Sequence, residues 1–155
     1  MIQALSYLIV ETPHLEDWIK QVRDHIGMQV EVVRLRIDEK FQRIVVTKID
    51  GQSSMGMGFE VADSTELERV TKVLENEGYE VTQGTEQELA LRGIKGMAFF
   101  HDPDGLRIEV CYGLANADSP FEPGRPIGGF RTGDMGLGHV ALITEHYEKL
   151  SHLYR

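Results

Sequence analysis

The feature that most constrains this chain is an order of elements that runs through it twice. Residues 5–10 are apolar and rich in β-forming side chains. Thr12 and Pro13 follow, a capping residue and a proline suited to the first helical position. Leu15, Trp18, Ile19, Val22 and Ile26 then fall at helical spacing on one face, and Gly27 supplies a stop. The pattern predicts a helix over 13–26, then strands over 29–37 and 43–49, closed by a turn at Asp50-Gly51. There the order restarts. Residues 55–61 read as a strand, and Asp63 with Glu66 three places on is a capping pattern. Leu67, Val70, Val73 and Leu74 form the second helical stripe, which Gly78 ends. Strands are expected over 79–82, 96–100 and 106–112, the last two joined by the turn His101-Asp102-Pro103-Asp104-Gly105.

The repeat length is about 50 residues. The expected class is α+β: two βαβββ modules whose mixed sheets lie side by side in a partial barrel, helices outside. A doubly wound parallel sheet is not expected.

Composition narrows the function. The net charge of −9 opposes nucleic-acid binding, which needs clustered Lys and Arg. No apolar run approaches the roughly 20 residues of a membrane span. The start Met1-Ile2-Gln3 runs directly into a strand without the basic segment of a signal peptide. The single cysteine, Cys111, rules out an internal disulfide framework and fits a reducing cytoplasm.

Pro120, Pro123 and Pro126, with Gly124, Gly128, Gly129 and Gly133, mark a linker over 116–133. Gly136-Leu137-Gly138-His139-Val140-Ala141-Leu142-Ile143 then reads as another strand start. Thr144 is placed to cap a helix carrying Tyr147, Leu150 and Tyr154. A strand and helix alone bury too little apolar surface to fold unaided. The expected organisation is a domain over 1–115, the linker, and the first strand and helix of a truncated second domain over 134–155.

Few residues carry chemistry. His139 sits among glycines on an expected strand. Neutral imidazole is the commonest metal ligand, but one ligand does not hold an ion. A non-heme Fe(II) site needs two histidines and a carboxylate on one face. His14, His25, His146 and His152 fall on expected helices without metal-site spacing, and His101 lies in a turn. Alternation along 106–112 leaves two orientations open for Glu109: inward, where a carboxylate needs a partner, a metal or water, or outward at a barrel mouth. There is no phosphate-binding loop, dinucleotide fingerprint or Gly-x-Ser-x-Gly elbow. Cys111, on a central strand, reads as a core residue.

Several segments resemble one family. Gly58-Phe59-Glu60-Val61-Ala62-Asp63 and Asp102-Pro103-Asp104-Gly105-Leu106-Arg107-Ile108-Glu109-Val110 are similar to parts of the first domain of biphenyl-type extradiol dioxygenases. These belong to the vicinal oxygen chelate superfamily, with the glyoxalases and bleomycin-resistance proteins. The stretch from Pro120-Phe121 through Gly129-Phe130-Arg131-Thr132-Gly133 resembles that family's interdomain linker. Gly136-Leu137-Gly138-His139 resembles the opening of its catalytic domain.

The resemblance implies a protein that opens catechol-type aromatic diols with O2, using Fe(II) or in some cases Mn(II). It makes His139 the first metal ligand and puts the second histidine and the glutamate beyond Arg155. It aligns Tyr7, Gly56 and Glu109 of the first domain with the three ligand positions, so residues 1–113 are expected to bind no metal tightly. This chain by itself is then expected to lack ring-cleavage activity. Two rivals stay open. One is a single-domain glyoxalase-like or drug-binding protein; the other is a non-enzymatic module whose 134–155 segment docks on another chain, giving a homo-oligomer.

Overall fold

The computed structural model describes residues 1–134 and 136–155. The first module runs β1 (Ala4–Thr12), α1 (Leu15–Gln21), β2 (Gln29–Glu31), β3 (Arg34–Arg36) and β4 (Ile44–Lys48). The second runs β5 (Ser54–Glu60), α2 (Ser64–Asn76), β6 (Thr82–Gln83), α3 (Glu86–Arg92), β7 (Gly96–His101) and β8 (Arg107–Tyr112). A last helix, α4, spans Tyr147–Leu153.

The eight strands form one open mixed sheet in the order β2-β3-β4-β1-β5-β8-β7-β6. Exchanging the modules leaves that order unchanged, so the repeat in the sequence is a repeat in space. Each module closes on itself through a parallel pair, β1 with β4 and β5 with β8. The modules join through the antiparallel pair β1–β5, so the two expected sheets meet edge to edge as one. The α+β class with paired βαβββ units stands.

Side chains alternate between the two faces. On the outer face, Val10, Ile44 and Val46 pack with Val22 and Trp18 of the first helical segment. Met57, Phe100, Ile108 and Val110 pack there with Leu67 and Leu74 of α2. The other face carries Tyr7, Ile9, Met97 and Cys111, which pack with Leu89 of α3. One helix therefore covers the face that the repeat alone leaves bare.

Several local expectations need correction. The helix expected over 13–26 begins at Leu15, and Val22–Ile26 winds as a π-helical turn. His14 holds the capping position, because the Thr12 hydroxyl accepts from the His14 backbone N–H at 3.1 Å instead of from the helix. The strand expected over 29–37 is a hairpin broken at Val32, whose φ of 60° is left-handed. The strand expected over 79–82 shrinks to Thr82–Gln83. An unanticipated helix, α3, fills the connection that follows. The strand expected from Gly136 to Ile143 does not form; Gly136 makes an isolated bridge with Leu5. Finally, Thr144 accepts from the backbone of His146 at 2.8 Å, and His146, not Thr144, stands at the start of α4. No helix among the described residues is long and apolar enough to cross a membrane.

Candidate functional site

The strand register brings three positions into one row. Tyr7 on β1 lies opposite Gly58 on β5, and Gly58 lies opposite Glu109 on β8. Gly56 lies instead opposite Ile9 and Arg107. The row therefore runs through Gly58, and the alignment that used Gly56 is corrected by one strand period. A Cβ at Gly58 would sit 2.3 Å from a Tyr7 ring carbon, so the phenol ring already occupies the space of any side chain at 58.

Glu109 points inward and is wholly buried. It could not be held there as a charge without partners, and it has three. Arg92, at the end of α3, forks onto it: Nε donates to Oε2 and Nη2 to Oε1, both at 2.6 Å. Arg107 Nε donates to Oε1 at 2.7 Å, and the Tyr7 hydroxyl donates to Oε2 at 2.8 Å. Arg107 reaches on to Glu88 Oε1 at 2.6 Å, and its guanidinium stacks 3.5 Å from the Phe99 ring centre. The cluster is two carboxylates, two guanidiniums and one phenol, neutral in sum.

The sequence builds this arrangement locally. Thr85 and Glu88 form a complete capping box at the start of α3. Gly93 ends the helix at φ 67°, and a Cβ there would strike the Phe41 ring at 2.2 Å. Two turns of helix set Arg92 over Glu109, and Gln42 Nε2 donates to the Arg92 carbonyl at 3.3 Å. The first module has no such plug: its β2–β3 connection is only Val32 and Val33.

Protonation states follow from burial and neighbours. Burial first, then Cys111 and Glu109, hold the Tyr7 phenol well above its ordinary value, so it remains a donor. Burial works against the Arg92 charge, but the hydrogen bonds and field of Glu109 outweigh it and raise Arg92. Burial pushes the Cys111 thiol up to about 12, which leaves it a core residue rather than a nucleophile.

Iron does not fit here. A facial triad needs three donors with positions left open. Tyr7 keeps its proton, Gly58 offers no side chain, and both oxygens of Glu109 are taken. Among the described residues no group of three His, Cys, Asp or Glu side chains is placed to hold a metal. An open cleft of about 480 Å³ borders the cluster, lined in part by Ile9, Thr47, Gly56, His101 and Arg107.

The other candidates are dispersed. His139 is exposed on an irregular segment. His101 ends β7 with its ring edge-on to Phe99, 6.2 Å between centres. His146 pairs with Asp104, and His152 with Glu77 at 3.4 Å. Sequence reasoning missed Arg92, Arg107 and Glu88. The signal for α3 was present in Thr85, Glu88 and Gly93, but an arginine at a helix end ordinarily reads as a solvated charge.

No family model matches the chain. Individual proteins do. The chain is 33% identical over 162 residues to 1,2-dihydroxynaphthalene dioxygenase of Sphingobium xenophagum, covering 99% of this chain and 54% of that protein. It is 35% identical over 159 residues to biphenyl-2,3-diol 1,2-dioxygenase of Paraburkholderia xenovorans, covering 99% and 53%. The crystal structure of a catechol 2,3-dioxygenase superposes with a TM-score of 0.89 at 33% identity, covering 99% of this chain and 57% of the other. The chain thus spans about half the length of the curated relatives it matches. Through nearly its whole length, and with the vicinal oxygen chelate fold, it is a homologue of the extradiol dioxygenases.

Proposed function

We propose that this chain is the N-terminal portion of an extradiol dioxygenase that opens catechol-type aromatic diols with O2, a non-catalytic scaffold domain followed by the opening of the catalytic one, and that it is inactive by itself. The observation that carries this is the occupied row on the inner face: Arg92, Arg107 and Tyr7 take every lone-pair direction of Glu109 that an ion would need. The relatives named for diol cleavage are about twice as long, so the reacting metal belongs with residues outside the row. Fe(II), or Mn(II), is the ion the family relationship favours. When bound, such an ion chelates the diol and activates oxygen. His139 is proposed as one of its ligands; its exposure on a segment without strand pairing is consistent with a side chain that needs further donors. Residues 1–115 form the scaffold domain, 116–133 the linker, and 134–155 the opening of the catalytic part.

The inner-face residues have a mechanical task here. Glu109, held by two guanidiniums, fixes α3 against β8, and through the Tyr7 hydroxyl it ties β8 to β1 of the other module. The buried thiol suits a reducing compartment, and a cytoplasmic location is proposed on that ground. Exposed Leu142 and Ile143 support self-association, which sizing of the purified chain measures.

A single-domain glyoxalase-like protein would need its donors inside residues 1–113, where Glu109 is already committed. The decisive assay supplies the purified chain with Fe(II), O2 and 2,3-dihydroxybiphenyl or catechol. No yellow ring-opened product is expected above the rate of free iron. Product formed at enzymic rates would overturn the proposal.

A further inference from the structure

We infer that Arg43 is a positioning residue for His139: with Asp38 and Thr132 it fastens the far end of the 116–133 segment to the first module, so that residues 136–139 leave the fold from a fixed point. The inference rests on the reading of His139 as a metal ligand. The ring-cleavage assay bears on that reading, whereas amide exchange, which needs no metal, decides this one.

A segment with three prolines and four glycines reads as a loose tether, yet here it is bound along the first module. At its near end the buried Arg36 of β3 donates through Nη2 to the Ser119 carbonyl at 2.9 Å and through Nη1 to the Ser119 hydroxyl at 3.2 Å. Midway, the Gly124 N–H donates to the Gly27 carbonyl at 3.0 Å, and a Cβ at 124 would stand 2.5 Å from the Met28 carbonyl oxygen. At the far end the buried Arg43 takes over. Its Nε and Nη2 hold Asp38 Oδ2 at 2.9 and 2.8 Å, and its Nη1 donates to the Ser6 carbonyl at 2.8 Å. The Thr132 side chain bonds to the same Asp38 carboxylate. One rigid fork thus joins a strand carbonyl to a carboxylate that in turn holds the segment, a task for which a lysine lacks the geometry.

What this clamp fixes is the exit of the chain. Strand β1 shifts register between Leu5 and Tyr7, before its pairing with β4 begins at Leu8, so the Leu5 and Ser6 carbonyls lie outside the β4 ladder. Ser6 serves Arg43, and Leu5 accepts from the Leu137 N–H at 2.9 Å. Gly136, at φ 62°, is wedged between the two: a Cβ there would stand 2.3 Å from the Leu5 carbonyl oxygen and 3.1 Å from Arg43 Nη1. His139 follows three residues later. A ligand must be held within about 0.5 Å of its productive place, and a segment without strand pairing supplies no such hold of its own. Arg43 supplies it from the neighbouring module.

The test compares the 15N-labelled 155-residue chain with Arg43→Lys, Thr132→Val and Thr132→Ser by amide exchange and backbone relaxation. In the unaltered chain the Leu137 amide should be protected and the His139 backbone ordered, with an order parameter of about 0.85. Arg43→Lys should speed Leu137 exchange by roughly tenfold more than it speeds the amides of β8, which report global opening. The same change should take the His139 order parameter below about 0.6. Should Arg43→Lys fail to fold, the Thr132 pair decides. Thr132→Val should speed Leu137 exchange roughly fivefold with β8 unmoved, and Thr132→Ser, which keeps the hydroxyl, should not. A His139 backbone already mobile in the unaltered chain, equal acceleration of Leu137 and β8, or identical behaviour of the valine and serine variants overturns the proposal.

Discussion

At Glu109 a carboxylate with no solvent contact meets two guanidiniums and a phenol, so the cost of truncation depends on which partner is removed. Glu109→Ala leaves Arg92 buried opposite nothing, and an uncompensated interior charge costs about 3–5 kcal/mol. Urea unfolding should show that loss as a lower midpoint with an unchanged slope. Arg92→Ala should cost less, because Arg107 and Tyr7 still reach the carboxylate. Cys111 sets a second test. Its folded pKa of about 12 exceeds the roughly 8.5 of an exposed thiol. A raised value contributes stability that is full below the unfolded value and is lost as pH rises toward the folded one. The urea midpoint should therefore fall from about pH 8.5 upward, and Cys111→Ala should flatten the first part of that fall. Tyr7, also raised by burial, adds to the decline at higher pH.

Among the elements, α3 was the one hidden in the sequence, and the reason is physical. It is only seven residues long, Glu86–Arg92, and its inward face offers Leu89 and Arg92 rather than an apolar stripe. A periodicity argument needs a longer stripe. What holds α3 is its ends. Thr85 accepts from the Glu88 backbone, and the Glu88 side chain answers to the Thr85 N–H at 2.9 Å. Thr85→Ala removes one half of that box and is expected to destabilise the chain by about 1 kcal/mol, read by thermal unfolding. The π-helical turn at Val22–Ile26 and the left-handed Val32 escaped for the opposite reason. Valine resists a positive φ, at a cost of about 1–2 kcal/mol, so nothing in the residue announces the turn; only the short β2–β3 pairing requires it. By contrast α2, with Asp63 accepting from the Glu66 backbone at 3.0 Å, follows its signals closely. So do β1, β5, β7 and β8, which run six residues or longer.

At the scale of the whole molecule, the duplicated module was legible because each copy must bury one face, and that need writes a period into the chain. The join between copies was less so: pairing β1 with β5 is a choice of edges that hydrophobic pattern does not encode. The site was legible in part. Glu109 was identified as inward or outward, and the register resolves it inward; the row partner is Gly58 rather than Gly56. That the row is held by an arginine depends on a contact between residues 92 and 109 across a helix the pattern did not reveal. The central claim is that a guanidinium, not an ion, neutralises the inner-face carboxylate. It is tested most directly by loading the 155-residue chain with Fe(II) anaerobically, removing free ion and measuring retained iron beside Glu109→Ala. Iron well below one per chain is expected, with no difference between the two proteins; one iron per chain that vanishes in Glu109→Ala would contradict that.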